Sequence, residues 1–195
     1  MINSLIDKYG QTITVDGIER KAYNDSTKIN RFRKLNKISS FLEIRILFTK
    51  EEIAENAVCV LNAREYLYLE TLDIAVVFGK SVYYETALFK NEFVNDIKLY
   101  KQSLNMNGCN LPSVNSTEYS SHKAIIRTKK ANDYINYSMQ GNKVITHEIV
   151  IFHYDGVRAT DLVEWGSRRF EIINMENIDE ESKFLVLNVI EVLNA

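Results

Sequence analysis

Apolar residues in this chain recur at every second position, in runs too short to build helices. In Phe41–Phe48, Leu42, Ile44 and Ile46 alternate with Glu43 and Arg45, the period of a strand with one face buried. Similar runs follow at Val58–Leu61, Glu65–Leu69, Ile74–Phe78 and Val82–Leu88. After a gap come Ala124–Arg127, Tyr134–Met139, Val144–Tyr154, Leu162–Trp165, Arg169–Met175 and Phe184–Leu193. Asp16-Gly17 joins Thr12–Val15 to Ile18–Tyr23 as a hairpin, since Asp-Gly takes the positive φ angles of a tight turn. Gln140–Lys143 and Asp155-Gly156 are further turns, and Asp179-Glu180-Glu181 lies in the connection to the last strand. Helix is confined to Asn3–Tyr9, capped by Asn3 or Ser4 and stopped by Gly10. The capping-box pattern Thr49-x-x-Glu52 also predicts a short helix through Ala57.

The pattern breaks at residues 102–121. This stretch holds five serines, four asparagines, the only proline (Pro112) and no Lys or Arg. Polar, turn-prone residues bury little, and proline cannot continue a helix or a central strand. The expected organisation is therefore a β-rich part over 1–101, a linker or extended loop over 102–121, and a second β part over 122–195. The expected fold class is mainly β: small barrel-like or sandwich-like modules with short helices, two modules joined by the Ser/Asn-rich stretch. An internal repeat is also expected. Glu43-Ile44-x-Ile46 aligns with Glu148-Ile149-x-Ile151, and the same interval then leads to Arg64 and Arg169, each before an aromatic-containing run.

Composition sharpens this picture. Apolar residues make up 46% and charged residues 26%, enough for a core and too hydrophobic for a disordered chain. Seven glycines and one proline against eleven Tyr and nine Phe favour strands. The formal charge of −2 argues against general nucleic-acid binding. No apolar run suits a signal peptide or a bilayer span, so the expectation is a soluble protein of the cytoplasm, without membrane association. In that compartment Cys59 and Cys109 are expected as free thiols.

Catalytic chemistry finds poor material. His147-Glu148 opens like a zinc-protease motif, but Ile151 stands where the second histidine belongs. His147 and His153 on one strand face are about 20 Å apart, too far for one metal. Gly79-Lys80-Ser81 resembles the end of a phosphate loop, but Ile74 replaces the upstream glycine and the context is strand–turn–strand. No catalytic, cofactor-binding or metal-binding residue is assigned, and no cofactor is expected.

Two features suit interaction. Lys28, Arg31, Arg33, Lys34 and Lys37 lie in one stretch with no acid among them, around Phe32. This is a solvated loop, or a surface that multiplies its charge when displayed around a ring. Arg158, Arg168 and Arg169 lie near Trp165. Arginine forks and an indole are favoured at interfaces, while the indole equally suits a core with an arginine laid along it.

The segment His147–Leu193 carries a family resemblance. A long strand leads to Asp155-Gly156, then Ala159-Thr160-Asp161-Leu162-Val163, the corner Trp165-Gly166, the strand Arg169-Phe170-Glu171-Ile172, a polar turn and a final apolar strand. This layout resembles the head-completion (head-tail connector, neck or collar) proteins of tailed phages. The opening LIDKYGQTITVDG is similar to the start of neck proteins of contractile prophages and phage-tail-like bacteriocins. The resemblance implies small β-barrel proteins that form rings at the head-proximal end of the tail, with no catalytic residues. It also implies a cyclic homo-oligomer of roughly six-fold or twelve-fold symmetry, bound to adjacent tail or portal components, with DNA close by. Such a protein would be made in the bacterial cytoplasm and end in the particle. The alternative is a nucleic-acid-binding β-barrel module that uses the basic loop 28–37.

Overall fold

The computed structural model describes residues 2–25, 38–40, 42–77, 80–106, 112–129, 145–178 and 183–192. The chain is mainly β and divides into two compact units, Met1–Asn91 and Glu92–Ala195.

In the first unit, helix α1 (Ile2–Tyr9) precedes six strands: β1 (Gln11–Val15), β2 (Ile18–Asn24), β3 (Ile44–Thr49), β4 (Val58–Leu61), β5 (Arg64–Val77) and β6 (Lys80–Lys90). They close into an antiparallel barrel in the order β1-β2-β3-β6-β5-β4. Asp16 (φ 49°) and Gly17 (φ 82°) form the β1–β2 turn as expected, and Asp16 Oδ1 accepts a bond from Val58 N at 2.9 Å. Gly10 donates to Ile6 O at 3.0 Å to end α1, and a Cβ at that position would lie 2.2 Å from the same oxygen. Only glycine fits so close an approach.

Leu47, Cys59, Leu61, Tyr66 and Leu88 fill this barrel together with Ile13, Val15 and Ala22. Ile44, Ile46 and Phe48 point to the outer face of β3 and are buried too. That face is covered because α1 packs on β2, β3 and β6. Burial pushes the Cys59 thiol up to about 11, with Asp16 adding to the effect, so it is an inert core residue.

The second unit contains β7 (Asn95–Met106), β8 (Pro112–Thr128), β9 (His147–Phe152), β10 (Leu162–Trp165), β11 (Arg168–Asn177) and β12 (Phe184–Val192). Read from β7, its barrel runs β7-β8-β9-β12-β11-β10 and closes on β7, the same connectivity as the first. Ile97, Leu99, Ile149, Ile151, Val163, Phe170, Ile172, Leu187 and Val189 form its core.

Four expectations change. The division falls after Asn91, and the described part of 102–121 belongs to the β7–β8 hairpin. The main chain of that part is paired across a two-stranded ribbon, which does not require apolar side chains, and Pro112 occupies the first position of its strand. The capping-box helix does not form. The Thr49 hydroxyl donates to Glu51 O at 2.6 Å, and Ile53 and Ala57 are drawn into the barrel core. Glu65–Leu69 and Ile74–Val77 belong to one strand, β5, kept continuous by irregularities in its pairing with β6.

The repeat exists as topology but in a different register. Leu47 faces the core on β3, whereas Ile149 and Ile151 do so on β9, so the two Glu-Ile-x-Ile strings expose opposite faces. Arg64 is matched by Arg168: each follows a two-residue turn and pairs with the last residue of the strand before, Leu61 or Trp165. The expected strand Tyr134–Met139, the turn at 140–143, Asp179-Glu180-Glu181, Gly79 and Cys109 lie outside the described residues.

Candidate functional site

Strand alternation places a set of inward-facing charged side chains at one end of each barrel. In the second unit, Arg168 at the start of β11 reaches Glu191 near the end of β12 through two bonds of 2.6 Å, from Nε and Nη2. Its Nη2 also lies 3.2 Å from His147 Nε2, at the start of β9. The guanidinium sits over two rings, 5.4 Å from the centre of Trp165 and 5.1 Å from that of Phe170. His147 meets Phe170 edge-on at 5.0 Å. Trp165 and Arg168, expected together at an interaction surface, are thus brought together as a lid on their own barrel. Arg169 binds Glu164 at 3.3 Å and lies over Tyr100. Arg158 is exposed.

This lid titrates. Burial first, then Arg168, lowers the His147 pKa, and burial lowers that of His122. Arg168 holds Glu191 below the ordinary carboxylate range. A histidine whose pKa falls on folding binds fewer protons native than unfolded. Its stabilisation is complete above its ordinary value near 6.5 and is lost as pH falls. All three histidines belong to the second unit, and so does the single tryptophan. Between pH 7 and 5.5 the urea midpoint read from Trp165 emission should therefore fall. The first unit has no histidine, and Arg45 holds its Glu43 carboxyl below the ordinary carboxylate range, so it should hold steady over that range. A His147→Gln/His122→Gln variant with an undiminished slope would contradict this.

Elsewhere on this barrel, Asp161 is 4% exposed. Its Oδ2 accepts the Tyr119 hydroxyl at 2.7 Å and Arg158 N at 2.9 Å. Thr160 is held beside it at φ 91°, with its N–H on Ile172 O at 3.1 Å. Burial and Asp161 together push the Tyr119 phenol far up. Tyr119→Phe should cost about 1–3 kcal/mol of stability, because a buried acceptor loses its donor. A urea midpoint equal to that of the parent would show the bond to be dispensable.

The equivalent end of the first barrel is built around Glu43. Its Oε1 accepts Arg45 Nη2 at 2.7 Å, Arg45 Nε at 3.2 Å and the Tyr66 hydroxyl at 3.1 Å. Arg64 Nη1 and Lys90 Nζ both stand 3.9 Å from Oε2. Arg45, then burial in opposition, then Tyr66 set the Glu43 pKa, and the net effect is lowering. None of these residues was singled out as a site from the sequence. Their signal was the pair of arginines that follow two-residue turns, Arg64 and Arg168.

Two hairpins outrun their barrels. On β5, pairing to β4 ends at Leu67, and on β6, pairing to β3 ends at Tyr84, so among the described residues Ala75–Val77 and Lys80–Tyr83 pair only with each other. On that arm, Ile74 at its base and Val76 within it are 43% and 57% exposed. On β7–β8, residues 101–106 and 112–117 likewise pair, among the described residues, only with each other. Each barrel extends a different hairpin of the shared plan.

Lys28, Arg31, Phe32, Arg33, Lys34 and Lys37 lie outside the described residues. Beside α1 a cleft of about 270 Å³ holds Asp7, Arg20, Lys50 and Glu51, paired as Lys50–Asp7 at 2.6 Å and Arg20–Glu51 at 3.2 Å. Among the described residues, no three His, Cys, Asp or Glu gather as a metal site, and no helix is long and apolar enough to cross a membrane.

Fold and site define a class: a tandem of two closed six-stranded barrels with one connectivity, charged ends and projecting hairpins. No family model and no curated protein matches the chain. Among solved structures it is similar to the solution structure of protein SF1141 from Shigella flexneri 2a. The two share 14% identity with a TM-score of 0.41, over 50% of this chain and 90% of that one.

Proposed function

We propose that this chain is a structural neck or collar protein, assembling with copies of itself into a ring at the head-proximal end of a phage or phage-tail-like particle. The observation that supports assembly is the pair of two-stranded arms beyond the barrels. A lone hairpin is at best marginal in water, and each ordered residue costs about 1–2 kcal/mol of backbone entropy. Among the described residues, 101–106 and 112–117 have no strand partner besides each other, and beyond Lys101 they carry no charge to guard their edges. Ile74 and Val76 present apolar surface on the other arm. Neighbouring subunits supply what the arms lack, and a closed ring leaves none of them bare. The particle context and the tail or portal partners come from the resemblance of His147–Leu193 to head-completion proteins. In this reading the chain transforms no substrate.

Light scattering on the purified chain, alone and with the neighbouring tail component, tests the assembly. The expected mass is a multiple of 22.6 kDa, with rings visible under negative stain. A monomer under both conditions, or normal particles formed without the protein, overturns the proposal.

A further inference from the structure

We infer that His147 is a proton-operated latch on the lid of the second barrel, holding Arg168 over Trp165 while neutral and releasing it when protonated. This inference is independent of the assembly reading. His147 is buried, and the groups around it fix the position of its ring hydrogen. Nδ1 lies 2.9 Å from Thr146 Oγ1. That hydroxyl has one proton, which it donates to Val189 O at 3.3 Å, and it accepts from Glu191 N at 3.0 Å. Nδ1 is therefore the donor, and Nε2 is left as a bare acceptor. Arg168 Nη2 donates to that lone pair at 3.2 Å. The main chain keeps the parts in place: Thr146 N donates to Val189 O at 2.9 Å, and His147 pairs with Val189 across β9 and β12.

A proton taken from solvent has one place to go on this ring, the lone pair of Nε2. Once it is there, the bond from Arg168 is replaced by two donors facing each other and two like charges side by side. Of the charged groups around the ring, Arg168 on β11 and Glu191 on β12 face it. Glu148, the next residue on β9, points to the opposite face and pairs with Lys129. Arg169 is turned to Glu164. Glu191 is thus the acceptor that the new Nε2–H finds, since Arg168 Nη2 touches both Nε2 and Glu191 Oε2. The carboxylate shifts toward the imidazolium, the Arg168 fork loosens, and the guanidinium leaves the rings of Trp165 and Phe170.

Burial and Arg168 oppose the proton and Glu191 favours it, with a net lowering, so the latch opens below the ordinary histidine value near 6.5. Opening frees an arginine fork and uncovers an indole, the side chains most used in protein contacts. The first unit has no histidine and no counterpart of this device.

The test is an acid titration of the full chain without denaturant. Imidazole nitrogen NMR near neutral pH should show the His147 proton on Nδ1. On acidification, protonation of Nε2, a shift of the Arg168 Nε–H resonance and a red shift of Trp165 emission should share one midpoint below about 6.5. Far-UV circular dichroism should stay constant through that step. Arg168→Gln should raise the His147 midpoint and remove the emission step, because the opposing cation is gone. His147→Phe, which keeps a ring against Phe170, should also remove the step, whereas His122→Gln should keep it. A neutral-state proton on Nε2, unchanged emission across the His147 titration, a step that survives His147→Phe, or one that appears only with loss of far-UV signal overturns the inference.

Discussion

Phe170→Ala should unfold the second barrel under mild denaturant while the first stays folded. Phe170 has no exposed surface and sits in a core shared with Ile149, Val163 and Leu187. It also makes an edge-type ring contact with His147 and carries the Arg168 guanidinium over its ring. Truncating a buried phenylalanine costs about 3–5 kcal/mol, a large share of the roughly 5–15 kcal/mol that holds a domain together. Here the truncation also removes the floor of the charged lid. Urea unfolding followed by Trp165 emission should show a much lower midpoint. Phe170→Leu, which keeps most of the volume, should fall between parent and alanine variant. A parent-like midpoint for the alanine variant would mean that this core does not hold the barrel.

Ile74→Asp combined with Val76→Asp should abolish assembly and leave the monomer as stable as before. Both side chains are largely exposed in the single chain, so the barrel loses little. In an interface, each buried apolar side chain of this size contributes about 1.5–3 kcal/mol. Two carboxylates in their place should weaken association by at least about a hundredfold. The measurement is mass by light scattering across a concentration series, with thermal unfolding as the control for folding. An unchanged mass would locate the subunit contact elsewhere.

Much of the strand plan was legible because its signals are local. The Asp16-Gly17 hairpin, β4 and β10 stand at or within a residue of their expected limits, since alternation and turn chemistry act over a few residues. The capping box at Thr49 was equally local and failed, because burying Ile53 and Ala57 outweighs one terminal bond on a short helix. The unit boundary was misplaced because composition reports burial rather than pairing. The Ser/Asn-rich stretch is polar in composition, yet the described part of its main chain is engaged in a ribbon.

Site residues followed the same division. Arg168 and Trp165 were visible as interaction-prone types, but their partner Glu191 is far along the chain and becomes adjacent only when β11 meets β12. Glu43, Arg64 and Lys90 were invisible as a group for the same reason.

Sequence alone therefore determined the β character, the turns and the general supply of apolar side chains, all properties of short windows with a period of two. Tertiary structure decided barrel closure, register and which charges share an opening. A one-residue slip reverses every side chain on a strand, and only the hydrogen-bonded neighbours and the packed interior select between the two faces.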